Sequence, residues 1–117
     1  MTPSITDRSG LLTDELRQLA ERRLLFALSR FDDRITRVDL VVSDENGPRG
    51  GIDKACRITV ALNQARDVIV RHKDVDMAKA ISRIAERAGR AVSRAIEKTQ
   101  SFERIRPIFY DDSVVSL

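Results

Sequence analysis

The sequence predicts an α+β fold of order β-α-β-β-β-α. Its sheet is antiparallel-rich and four-stranded, the first strand short or absent, with two helices packed on one face. Three observations predict it. Two stretches carry apolar residues at helical spacing, and three stretches between them alternate apolar and polar residues at period two. The chain has 117 residues, enough for one domain that buries a core without metal or disulfide staples. One sheet covered by two helices is the economical way to bury one face of every element.

Residues 1–12 contain Pro3, Ser9 and Gly10, which favour irregular chain, and only residues 2–7 offer a first strand. Thr13 is placed to cap a helix, with Asp14 and Glu15 in the first turn where the helix dipole favours carboxylates. Leu16, Leu19, Ala20, Leu24, Ala27, Leu28 and Phe31 then trace an apolar face, so the first helix is expected over residues 14–30. Its exposed side carries Arg17, Arg22, Arg23 and Arg30, partly offset by Glu15, Glu21, Asp32 and Asp33.

The period changes at Thr36. Val38, Leu40 and Val42 alternate with Arg37, Asp39 and Val41, which predicts a half-buried strand over residues 36–42. Residues 43–51 read as a loop, with Asn46, Gly47 and Pro48 and the pair Gly50 and Gly51. Cys56, Ile58, Val60 and Leu62 face one way in a strand over residues 54–62, and Arg57 and Thr59 face the other. A tight connection over residues 63–65 leads to a strand over residues 66–72, with Val68 and Val70 opposite Ile69.

The last regular stretch is the most informative. From residue 75 to residue 99, small and apolar residues recur at helical spacing through Met77, Ala78, Ile81, Ile84, Ala85, Ala88, Ala91, Val92, Ala95 and Ile96, with Asp74 expected as the cap. Lys79, Arg83, Arg87, Arg90, Arg94 and Lys98 recur at steps of four, four, three, four and four, which keep them on one side of a helix. Glu86 and Glu97 are expected beside this stripe. Residues 1–100 are read as the domain and residues 101–117 as a tail with a break at Pro107, partly ordered and laid on the domain; the alternative is that Phe102, Ile105, Ile108, Phe109 and Tyr110 make it an adhesive segment for a partner or a second copy.

The formal net charge is +3, but its distribution is uneven. Eight Lys/Arg stand against four Asp/Glu between Arg71 and Lys98, so the positive excess gathers around the second helix, where it attracts a polyanion. Cys56 is the only cysteine, so no internal disulfide forms and a reducing, cytoplasmic setting fits. The sequence shows neither a signal peptide nor a membrane span. The absence of tryptophan argues against an aromatic base-stacking platform.

Catalytic chemistry has little support. His72 is the only histidine, and neither it nor Cys56 has a second metal ligand at zinc-like spacing. Gly47, Gly50 and Gly51 lack the flanking pattern of a phosphate loop or nucleotide fingerprint, and no nucleophile elbow occurs. Helix capping and solvation account for the carboxylate pairs Asp32 with Asp33 and Asp74 with Asp76. The expectation is a protein without catalytic residues, metal or cofactor. The basic stripe spans about 28 Å of helix, long enough to track several phosphates without reading bases. Structured RNA suits such a rod better than a DNA operator, since it does not follow a short turn as a recognition helix does.

Three segments in order also resemble one family: LTDELRQLAERRLLFALSRFDDRITRVDLVVSDENG, DKACRITVALN and HKDVDMAKAISRIAERAGRAVSRAIEK. The most specific part is Asp74, Val75, Asp76 and Met77 leading into Ala80 and Ile81. The chain is similar to the ribosome hibernation promoting factors and ribosome-associated translation inhibitors, the sigma-54 modulation protein-like family, in a short form without their dimerising C-terminal domain. That resemblance implies binding to the small ribosomal subunit and its ribosomal RNA, and inhibition of translation in stress or stationary phase. The cations it implicates are Arg22, Arg23 and Arg30 on the first helix and Lys79, Arg83, Arg87, Arg90, Arg94 and Lys98 on the second. Lys73, with Arg71, extends the patch from the third clear strand. The alternative is a protein-interaction or regulatory module of the same fold, with self-association through a sheet edge or the tail.

Overall fold

The structure is a computed structural model that describes residues 1–10, 12–45 and 54–111, with side chains described as far as Thr99. The elements are β1 (Ser4–Asp7), α1 (Asp14–Leu28), a 3-10 turn (Ser29–Arg34), β2 (Ile35–Asp44), β3 (Lys54–Leu62), β4 (Val68–Asp74) and α2 (Met77–Asp111). The expected order β-α-β-β-β-α is therefore present. The sheet runs β1-β2-β3-β4, with β1 parallel to β2 and the other neighbours antiparallel. The weakly marked first strand exists. It is four residues long and pairs Ile5 with Leu40, and α1 makes the crossover that a parallel pair requires.

Alternation sorts the strands cleanly. Val38, Leu40 and Val42 of β2, Cys56, Ile58, Val60 and Leu62 of β3, and Val68 and Val70 of β4 point into one core. From α1 the core receives Ala20, Leu24 and Leu28, and from α2 Ile81, Ile84, Ala88 and Val92 among others. Each fully buried leucine or isoleucine contributes about 2 kcal/mol by removal from water. Thr13 caps α1 as expected, its hydroxyl accepting from the Leu16 N–H at 3.1 Å.

Four local expectations change. First, α1 ends at Leu28, and residues near Arg30 belong to a tighter 3-10 turn. Second, β4 begins and ends two residues later than its apolar pattern suggests. Third, the residue before α2 is Asp76, whose Oδ1 accepts from the Ala78 N–H, while Asp74 turns the chain by accepting from Val75 and Asp76. An aspartate two residues upstream imitates a cap because both carboxylates bind free N–H groups at a helix start. Fourth, helical backbone continues past Thr99 to Asp111; no glycine or proline lies between Thr99 and Pro107 to stop it. Residues 46–51 of the expected loop and 112–117 of the expected tail lie outside the described residues.

The helices meet closely at one point. Gly89 is buried, and a Cβ built on it would stand 3.1 Å from the Ala27 carbonyl oxygen and 3.4 Å from the Ala27 Cβ. Glycine there lets α2 approach the backbone of α1, and the short alanines of α2 let its flank settle on the sheet.

A candidate nucleic-acid interface on the helical face

Burial of one flank of α2 forces the opposite flank outward. Lys79, Arg83, Arg87, Arg90, Arg94 and Lys98 are all exposed, at the i,i+3 and i,i+4 steps that bring neighbouring side chains together along a helix. On α1, Arg23 stands four residues before Ala27, so both occupy the row that meets α2 at Gly89. Arg22 lies one step round that helix, and Arg30 follows in the 3-10 turn with its guanidinium 4.6 Å above the Phe31 ring. All three are exposed.

Lys73 is also exposed but does not join this surface. Along β4 it shares the alternation of Ile69 and Arg71, opposite the inward Val68 and Val70. It therefore lies on the sheet face away from the helices, and its Nζ is 2.6 Å from Glu45 Oε1. The extension of the helical patch through Lys73 and Arg71 is thus corrected by strand parity.

The stripe is not electrostatically uniform. Glu86 lies on it rather than beside it: its Oε1 is 3.1 Å from Arg90 Nη2, so Arg90 is already partly neutralised. Glu97 accepts from the Ser93 hydroxyl at 3.3 Å. Arg87 reaches back to the sheet, where Nη1 donates to the Arg71 carbonyl at 2.8 Å and lies 3.4 Å from His72 Nδ1. That carbonyl belongs to an edge strand, so Arg87 also occupies a group open to another strand. At the other edge, Arg17 of α1 approaches the Ile5 carbonyl at 3.4 Å. Among the described residues, no ion pair engages Lys79, Arg83, Arg94 or Lys98, which makes these the available charges of α2.

Beside Arg87, His72 Nε2 is 3.5 Å from Asp74 Oδ2, too long for a full hydrogen bond. Desolvation pushes the Asp74 carboxyl up, but hydrogen bonds from the Asp76 and Val75 N–H groups, with His72 alongside, outweigh it and hold the carboxyl below its ordinary range. Cys56 is buried and its thiol is pushed up to about 12 by desolvation; Met77 Sδ is its 4.0 Å neighbour. A thiol in that state fills space and is a poor nucleophile. Among the described residues, no group of three or more His, Cys, Asp or Glu could hold a metal ion.

Phe26 is the surface residue that helical periodicity does not single out. It is 84% exposed on α1, between the flanking arginines and next to Leu25 at 42%. Its only sequence signal is negative: it falls off the apolar row through Leu24 and Leu28.

Together these features define a small α+β domain whose distinctive surface is a cationic pair of helices braced on a sheet. The family described as Sigma 54 modulation protein / S30EA ribosomal protein matches residues 4–100, and the chain belongs to it. A ribosomal subunit interface protein from Coxiella burnetii has a similar structure, with a TM-score of 0.66 at 18% identity over 80% of this chain and 96% of that one. The N-terminal domain of Thermus thermophilus Protein Y is similar at a TM-score of 0.64 and 26% identity, over 80% of this chain and 98% of that one. No curated protein sequence matches the chain. No described helix is long and apolar enough to cross a membrane.

Proposed function

We propose that the chain binds the small ribosomal subunit in the cytoplasm through its basic two-helix face and inhibits translation in stress or stationary phase. The observation that carries this reading is the run of exposed cations on α2, Lys79, Arg83, Arg94 and Lys98, left without ion partners among the described residues of a chain in a ribosome-associated family. A rigid rod of charge held by a packed sheet contacts phosphates and sugars at fixed spacing and reads shape rather than sequence. Arg22, Arg23 and Arg30 widen the contact, and Phe26 among them offers a ring to an unstacked base. The resemblance of the fold to a ribosomal subunit interface protein supports the choice of partner.

Sedimentation of cell extract through a salt series tests it. The protein should travel with small subunits at low salt and leave them as salt rises. The double variant Arg83→Glu, Arg94→Glu should abolish the association while keeping the native melting temperature, because neither residue makes an ion pair among the described residues. Unchanged co-sedimentation of this folded variant would exclude the helical stripe as the binding surface. Added to a cell-free translation reaction, the wild-type protein should lower yield and the double variant should not.

A second reading, a protein-interaction module without ribosome binding, draws on the exposed Phe26 and Leu25. It predicts a stable protein complex that survives high salt, the reverse of the first reading.

A further inference from the structure

The sheet face turned away from the helices carries an unusual charge arrangement. Arg57 of β3 stands directly opposite Arg71 of β4. Because the Arg71 carbonyl is directed to Arg87, this is a non-hydrogen-bonded pair, the kind with the closer side chains. Like charges directly opposite one another destabilise a sheet. One row along, Ala55 lies between Ser43 and Lys73, and Arg8 follows β1 with its N–H on the Val42 carbonyl at 3.0 Å. Arg8, Arg57, Arg71 and Lys73 line one concavity of about 200 Å³ together with one carboxylate, Glu45, which is paired with Lys73.

Among the described residues, two acids of this face are already engaged. Glu45 pairs with Lys73 at 2.6 Å, and Asp39 pairs with Arg37 at 2.7 Å. Among the described residues, no carboxylate pairs with Arg8, Arg57 or Arg71, and these three are exposed. Two facing guanidiniums are stabilised by an anion whose oxygens accept from both, and phosphate has the matching geometry. No Phe, Tyr or Trp lines the concavity, and the ring of His72 is turned by strand alternation to the helical side beside Arg87, so the contact is to backbone phosphate and not to a stacked base.

We infer that the Arg57–Arg71 concavity is a second anion site, which holds a phosphate of an RNA backbone on the face opposite the helices. The choice of RNA rests on the function proposed above; the anion site itself rests on the charge arrangement. The molecule then has two phosphate-binding faces separated by its own core, and it sits between two RNA strands.

The test is a titration of the isotope-labelled full chain with hexauridylate at low salt, followed by amide chemical shifts. The expected result is movement of the amides of Arg57 and Arg71 as well as those along α2. In the double variant Arg57→Gln, Arg71→Gln, the sheet shifts should vanish and the helical ones persist. The salt dependence of binding should fall by about 1.4 logarithmic units per decade, from two lost single-strand contacts. The variant should melt at or above the wild-type temperature, because a like-charge pair is relieved, so lost shifts do not mean lost fold. Shifts confined to α2, or sheet shifts that persist in the variant, overturn the inference and leave the helical reading standing. Shifts confined to the sheet support the inference and sink the helical reading. If inorganic phosphate or polyglutamate moves the sheet amides at lower concentration than hexauridylate, RNA is the wrong occupant.

Discussion

Replacing Gly89 tests whether the two helices are held at a distance set by a missing side chain. A Cβ at this position would stand 3.1 Å from the Ala27 carbonyl oxygen. Gly89→Ala therefore has two opposed effects. Helix propensity stabilises α2 by about 0.8–1 kcal/mol, while the helices must separate by a few tenths of an ångström at a backbone contact. The expected net change is within about 1 kcal/mol of wild type. Gly89→Val adds two methyl groups against the same backbone and should cost about 1–3 kcal/mol as overpacking. For a chain of this size that lowers the melting temperature by roughly 4 °C per kcal/mol. Thermal and urea denaturation of the three proteins, followed by circular dichroism, supply the measurement. A valine variant as stable as wild type would refute close helix contact at Gly89.

The remaining predictions follow from the charges and the buried groups. Glu86→Gln should tighten RNA binding about threefold at low salt, from roughly 0.6 kcal/mol of relieved repulsion, and cost at most about 0.5 kcal/mol of stability through the lost Arg90 pair; filter binding across a salt series measures the first and melting the second. Cys56 should react with a thiol reagent at pH 8 only as fast as the chain unfolds, since burial pushes the thiol up to about 12; a fast native reaction would contradict the packed position. Asp74 has a lowered folded pKa, so its contribution is present above the ordinary carboxylate value of about 3.9 and is lost as pH falls through the folded value. Urea midpoints between about pH 5 and 3 should fall less steeply in Asp74→Asn than in wild type.

The large periodic elements were legible because one side of each is buried in a continuous core. The spacing of Ile81, Ile84, Ala88 and Val92 defines the inner flank of α2 before any coordinates are known, and the outer cations follow from it. β1 was poorly legible because four residues carry too little alternation, and its pairing depends on β2 and on the α1 crossover. Two features of the charged surface were present in the sequence as local rules. Glu86 and Arg90 form an i,i+4 pair, and Lys73 shares the parity of Ile69, which places it opposite Val68 and Val70. The contact of Gly89 with Ala27 was not legible, because it depends on how two distant segments cross.

Exposure alone does not rank the arginines of α2. Arg87 and Arg83 are neighbours one turn apart and equally classed as exposed, yet they have different work. Arg87 spends a guanidinium N–H on the Arg71 carbonyl at the β4 edge, so its loss opens a backbone acceptor to another strand as well as removing a charge. Arg83 makes no such bond, so its loss removes a charge only. Weakened ribosome binding after substitution of Arg87 would therefore be ambiguous between electrostatics and edge exposure. The same loss after substitution of Arg83 and Arg94 is not, and those two positions decide whether α2 is a binding helix or only a well-solvated one.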